Sequence, residues 1–293
     1  MNSLSRCNID SLPQELLDKI IDEAANSCDR TVRGEFLRTI ALTWKPMIPR
    51  AQDHLFETIT FYGNSGVENE GLRGFNTWCE DRQERNQELL PDPAAAVKGI
   101  TYFVLDNDGA PHADANKCLK KFTKVVKLAV ARRFEDSNGD IKLESVIVTV
   151  LRPQIQFLKL QRCKLDVNDS VSYLGLFPEL KYLEMVDIYI KEGSFRNPGP
   201  SQPLPKFKGV LRLDSTISRP TSHNVIEMFT SIPTDMEYSH IILGSGVAKR
   251  GEAKIFLEPF LLKSKDTLEY LDISSESILP HIGCAHDRLG VKR

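Results

Sequence analysis

Side chains able to do chemistry are spread thinly over the 293 residues, and none of their groupings completes a site. Gly246 and Gly251 have the glycine spacing of a phosphate-binding loop. Glu252 stands where that loop requires its lysine, and a carboxylate there repels phosphate. Gly244 and Gly246 lack the third glycine of a dinucleotide fingerprint, and no Gly-x-Ser-x-Gly elbow raises a serine nucleophile. His281, Cys284 and His286 have the right types for three zinc ligands, with no fourth apparent. Acidic pairs such as Asp106 and Asp108 read as turn formers. Cys7, Cys28, Cys79, Cys118, Cys163 and Cys284 show no Cys-x-x-Cys spacing, which favours reduced thiols over a zinc ribbon or redox motif. We therefore expect no catalytic residues, no metal and no cofactor. The competing class is an enzyme on an α/β fold, which a deep pocket of perturbed titratable groups would revive.

Composition points the same way. With 41% hydrophobic and 27% charged residues the chain is globular in type and long enough for one or two domains. A formal net charge of −2 gives no bulk attraction to nucleic acid or to an anionic membrane. The basic run Lys117, Lys120, Lys121, Lys124, Lys127, Arg132 and Arg133 has no interleaved aromatics and reads as a solvated outer face. The apolar run at Val146 to Leu151 is far shorter than the roughly 20 residues of a membrane helix. Residues Met1 to Cys7 lack the apolar core of a signal peptide. The expectation is a cytoplasmic or nuclear protein without nucleic-acid or membrane partners.

If the work is binding, the elements that build a surface matter most. From Leu12 to Ala25, apolar residues at Leu12, Leu16, Leu17, Ile20, Ile21, Ala24 and Ala25 make one helical stripe. Ser11 and Gln14 have capping-box spacing, and Pro13 suits a first helical turn. Phe36, Leu37, Ile40, Ala41 and Trp44 repeat the spacing until Pro46 ends it, and Ile48, Ala51, Leu55 and Phe56 form a third short amphipathic piece. Three short helices hold too little interior to stand alone, so part of the stripe must lean on the rest of the chain or on a partner.

These residues resemble an F-box, of the kind expanded in mushroom-forming fungi. The resemblance runs from about residue 10 to 60 and departs from the family at Trp44 to Pro49, where a second proline lengthens the run. It implies docking on a Skp-type adaptor of a cullin–RING ubiquitin ligase, with the rest of the chain presenting a target. Carried over by position, the adaptor-binding residues would be Leu12, Pro13, Leu16, Leu17, Ile20, Ile21, Leu42 and Trp44, the first six adaptor-facing or core and the last two completing the hairpin.

Beyond the helices the chain returns repeatedly to L-x-x-L-x-L, with any apolar residue as L. Copies begin at Phe56, Ile100, Val125, Ile155 and Leu180, with weaker ones at Lys208, Tyr238 and Leu268. With 41% apolar residues a single match arises by chance about 7% of the time. The weight rests on two other facts. From Phe103 onward the spacing is near-regular, at about 25 to 30 residues. Ile155 to Leu165 fits the full eleven-residue leucine-rich-repeat template including Cys163, and Leu180 to Ile190 fits all but Ile188. Helices are expected between copies at 72–90, 113–122, 141–151, 222–230 and 252–262, and a Pro-rich loop at 198–205.

The resulting expectation is an α/β fold: an F-box-like helical hairpin (1–56), then an irregular leucine-rich-repeat solenoid with a parallel sheet (57–278), then a tail (279–293). A general α/β fold of alternating elements is the competitor. Function should sit on strand positions flanking the buried L-x-L: Phe157, Lys159 and Gln161; Tyr182, Glu184 and Val186; Arg212 and Asp214; Asp272. The partners would be the Skp-type adaptor with its cullin complex and an unknown protein target. A scaffold that recruits no ligase, with the hairpin capping the repeats, is the alternative.

Overall fold

The computed structural model describes residues 12–62, 70–84, 92–104, 119–132, 150–165, 174–190, 207–214, 222–231, 237–244 and 253–273. The fold mixes N-terminal helices with a parallel sheet. It divides into two compact units. The first is Met1–Ile59 with Gly74–Lys98 and Lys121–Lys124; the second is Thr60–Arg73, Gly99–Lys120 and Val125–Arg293. Two later segments thus group with the opening helices.

In the first unit, α1 (Gln14–Ser27) buries Leu17, Ile21 and Ala25, which recur every fourth residue. Ile21 and Ala25 meet Leu37 of α2 (Arg30–Thr43) and Ala51 of α3 (Ile48–Leu55), with Phe36, Ile40, Ala41, Met47 and Leu55 packed around them. Pro13 is the N-cap of α1 rather than its first helical residue. The capping box is not what holds Gln14: its side-chain amide donates to Asp18 and to the Pro46 carbonyl. Ser11 lies outside the described residues. After α2, Trp44 turns extended and a 3-10 turn (Lys45–Met47) leads into α3. That turn accounts for the long run between Trp44 and Pro49. Pro46 and Pro49 each fall in a first turn, where a missing N–H has no partner to lose. Phe75 and Trp78 of α4 (Glu70–Glu84) pack with Phe56, and Phe75 also with Phe122, at centroid distances of 5.4–6.4 Å. α5 (Pro93–Ala96) is one turn, capped by the Asp92 carboxylate.

The second unit is built on an eight-stranded sheet: β1 (Thr58–Tyr62), β2 (Gly99–Val104), β3 (Lys127–Arg132), β4 (Phe157–Gln161), β6 (Tyr182–Val186), β8 (Lys208–Asp214), β9 (Glu237–Leu243) and β10 (Tyr270–Ile273). The strands neighbour one another in chain order, and each pairing from β2 to β10 is parallel. Register aligns Ile100, Leu128, Leu158, Leu183, Leu211, Ile241 and Leu271 in one lateral row. Tyr102, Val130, Leu160, Met185, Leu213, Leu243 and Ile273 form the next. Except at β10, whose residues are half-buried, every member of both rows is buried. The two full-template stretches are buried at all ten template sites, and β5 (Lys164–Leu165) pairs with β7 (Tyr189–Ile190) as a second small parallel sheet.

One repeat is out of frame with the expectation. The copy placed at Ile100, Phe103 and Leu105 is in fact Val97, Ile100 and Tyr102, all buried, with Ile100 and Tyr102 in register with Leu128 and Val130. Four apolar residues in a row (Tyr102, Phe103, Val104, Leu105) allowed the shifted match. Helices α6 (Ser222–Ser231) and α7 (Ala253–Lys263) lie where two were expected. Most of the expected helices at 113–122 and 141–151, the loop at 198–205, the glycine-rich 246–252, Asp106 and Asp108, and the tail with His281, Cys284 and His286 lie outside the described residues. Among the described residues no helix is long and apolar enough to cross a membrane, and no group of His, Cys, Asp and Glu could hold a metal ion.

Candidate functional site

Two surfaces carry the residues singled out from the sequence, one in each unit. On the helical unit, consecutive apolar residues of α1 have opposite surroundings. Leu17 and Ile21, counted above with the adaptor-binding set, are enclosed in the helical core and offer no surface. Leu12, Leu16 and Ile20, four residues apart, run along the outside at 36%, 48% and 50% exposure. Leu42, in the last turn of α2, is 87% exposed. Pro13 is exposed at the N-cap, and Trp44 is half-buried beside the 3-10 turn.

Polar side chains also tie the helices of this unit together. Asp22 accepts from Arg50 Nε (2.6 Å) and Nη2 (2.7 Å), tying α1 to α3. Arg50, aided by His54 and opposed by burial, holds the Asp22 carboxyl down at about 2. His54 Nε2 lies 2.7 Å from Asp22, and its Nδ1 lies 3.0 Å from Arg33 Nη2. A guanidinium only donates, so Nδ1 accepts and Nε2 carries the proton. Both ring nitrogens are therefore engaged, and the Asp22–His54 pair cannot serve as the base of a nucleophilic triad. Arg33 also reaches Glu57 at 3.2 Å. Burial pushes the Glu57 carboxyl up, but Lys98 and Arg33 outweigh it and hold it below its usual range.

On the sheet unit, alternation turns the residues between the buried rows to the other face. The register brings the expected surface residues together: Lys159, Glu184, Arg212 and Asp272 fall in one lateral row, with Ala129 and Ile242 between and beside them. Gln161, Val186 and Asp214 form a row downstream, but Val186 is buried and contributes no accessible surface. Glu184 is the hub of the charges, 3.1 Å from Lys159 and 3.8 Å from Arg212, which also reaches Asp214 at 3.5 Å. Burial works against the Arg212 charge, yet Glu184, Tyr182 and Asp214 keep its pKa above the ordinary value.

The upstream row is Lys127, Phe157, Tyr182, Val210, His240 and Tyr270. Phe157, 39% exposed, packs on Tyr182 at 5.6 Å, and Lys127 Nζ sits 5.5 Å over the Phe157 ring. His240 and Tyr270 stack at 5.7 Å. Here the structure corrects the reading of Lys127 as part of a basic outer face: it belongs to the aromatic row. Lys127, Val210, His240, Ile242 and Tyr270 were not among the expected surface residues. The signal for them was present, since the same offsets applied to the copies at Val125, Tyr238 and Leu268 give Lys127, His240, Ile242 and Tyr270.

No family model matches the chain, and neither a curated protein nor a solved structure matches it. The two surfaces therefore stand on their own chemistry. Among the described residues the first is an exposed aliphatic stripe, and the second sets an aromatic and apolar row beside mutually paired charges.

Proposed function

We propose that the chain is a non-enzymatic adaptor. Its F-box-like helical unit docks on a Skp-type adaptor of a cullin–RING ubiquitin ligase, and an irregular leucine-rich-repeat solenoid holds a protein target on its sheet face. The observation that carries this reading is the split of the α1 stripe. Leu17 and Ile21 already supply the unit's own core, so Leu12, Leu16 and Ile20, with Leu42 on α2, are surplus apolar area. Full burial of an exposed aliphatic side chain contributes about 1.5–3 kcal/mol; Leu12, Leu16 and Ile20, at 36–50% exposure, would each add up to about half of that on docking, and Leu42 nearer the whole. The two apolar rows running laterally from β2 to β10 support the solenoid, and the aromatic and charged rows on the opposite face support its use for binding. The ubiquitin-transfer chemistry lies in other subunits, and the place of action is the cytoplasm or nucleus.

Co-purification with a Skp-type adaptor tests the proposal. Wild type should retain the adaptor, and Leu16→Asp with Ile20→Asp should lose it while the circular dichroism of the chain is unchanged. Wild type that fails to bind at micromolar concentration would leave the scaffold that recruits no ligase as the better account.

A further inference from the structure

Resting on the reading of the sheet face as a target-holding surface, we infer that its occupant is an amphipathic helix of about 16 residues lying across the strands. The first reason is backbone chemistry. Strands β3, β4, β6, β8 and β9 are each paired on both sides, so their N–H and C=O groups are taken up within the sheet. An extended chain laid on that face would find Phe157, Tyr182, Val210 and Tyr270 under it and few partners for its own backbone. A helix satisfies its backbone internally and presents only side chains.

The second reason is spacing. Strands lie about 4.8 Å apart, and a helix crossing them advances about 5.4 Å per turn. Each turn therefore meets the next strand with a slip of roughly 0.6 Å. Same-side residues of an extended chain repeat at about 6.8 Å and slip roughly 2 Å per strand, losing register within two. The apolar-aromatic row is one side chain wide, as a single helix stripe is. Beside it Lys159, Glu184, Arg212 and Asp214 are paired with one another and demand no counter-charge from the occupant.

Charge at the two ends sets the direction. Lys127 closes the row at β3 and Asp272 lies at β10, five strand steps away or about 24 Å. A helix of about 16 residues spans that length. Its partly positive N-terminus fits over Asp272 and its partly negative C-terminus over Lys127.

The test presents the purified full chain with two displayed libraries of 16-residue peptides. One holds lactam-bridged helices with an apolar stripe, and the other holds linear peptides alternating polar and apolar residues. The expected binders are helical, weaken at least tenfold against Phe157→Ala with Tyr182→Ala, and crosslink from a photoreactive N-terminus to β10. Lys127→Glu with Asp272→Lys should move that crosslink to β3. Linear binders sensitive to Phe157 and Tyr182 would overturn the helix and keep the face. Binders indifferent to those residues, or none from either library, would overturn the face reading itself.

Discussion

Arg162 and Asp187 stand at the same offset, seven residues after Ile155 and Leu180, and both take a left-handed backbone, with φ of 57° and 53°. The repeated turn lets Arg162 N–H reach the Val186 carbonyl and Asp187 N–H reach that of Asp214, extending the lateral ladder past the strands. A β-branched residue is poorly accommodated there. Asp187→Val should therefore cost about 1–2 kcal/mol in urea unfolding, with Asp187→Asn near neutral. Equal effects would mean that the turn is not what limits stability.

Two glycines separate backbone from side-chain obstruction. A Cβ on Gly209 would run into the Lys181 carbonyl, which is backbone at the start of the neighbouring strand β6 and cannot swing away. A Cβ on Gly244 would instead meet the Asp214 carboxylate, which can rotate. Gly209→Ala should cost roughly 3 kcal/mol and Gly244→Ala clearly less, at the expense of the Asp214–Arg212 contact. Thermal unfolding of the pair decides it, and the reverse order would contradict the register at β8.

Neighbouring residues of α1 give the sharpest contrast. Ile21→Ala empties a fully enclosed site and should cost about 2–5 kcal/mol, whereas Ile20→Ala on the exposed stripe should stay within about 0.5 kcal/mol. Denaturant midpoints measured on the purified chain distinguish the two. Matching losses would place Ile20 in a core.

Acid should loosen the helical unit through Asp22. Its carboxyl is held at about 2 in the fold against an ordinary 3.8, so the folded state binds its proton less readily than the unfolded chain. The stabilisation is fully present above about pH 4 and is lost as pH falls through about 2. Because the group is partly exposed and screened, the effect is about 1 kcal/mol. Asp22→Asn should lower stability at neutral pH and flatten this acid limb; an unchanged limb would remove the Arg50 bond as its cause.

Much of this architecture was legible in the residues, because periods of 3.6 and 2 mark α1 and the L-x-L rows whatever surrounds them. Two things were not. Leu16, Leu17, Ile20 and Ile21 all fit one broad stripe, and only the packed structure decides that Leu17 and Ile21 turn inward, Ile21 against Leu37 and Ala51. At β2, where apolar residues run on without alternation, the frame is set by pairing with β3 and not by the local pattern. Lys127 shows the same limit: in sequence it joins a basic run, and only lateral register sets it over Phe157.

The central claim is that the outward stripe of α1 is there for another polypeptide to cover. Isothermal titration of the purified chain with a Skp-type adaptor measures this directly. The account predicts a micromolar or tighter dissociation constant for wild type and at least a hundredfold weakening for Leu16→Asp with Ile20→Asp, equivalent to about 2.8 kcal/mol. No heat of binding from wild type, or an affinity untouched by those two substitutions, would contradict it.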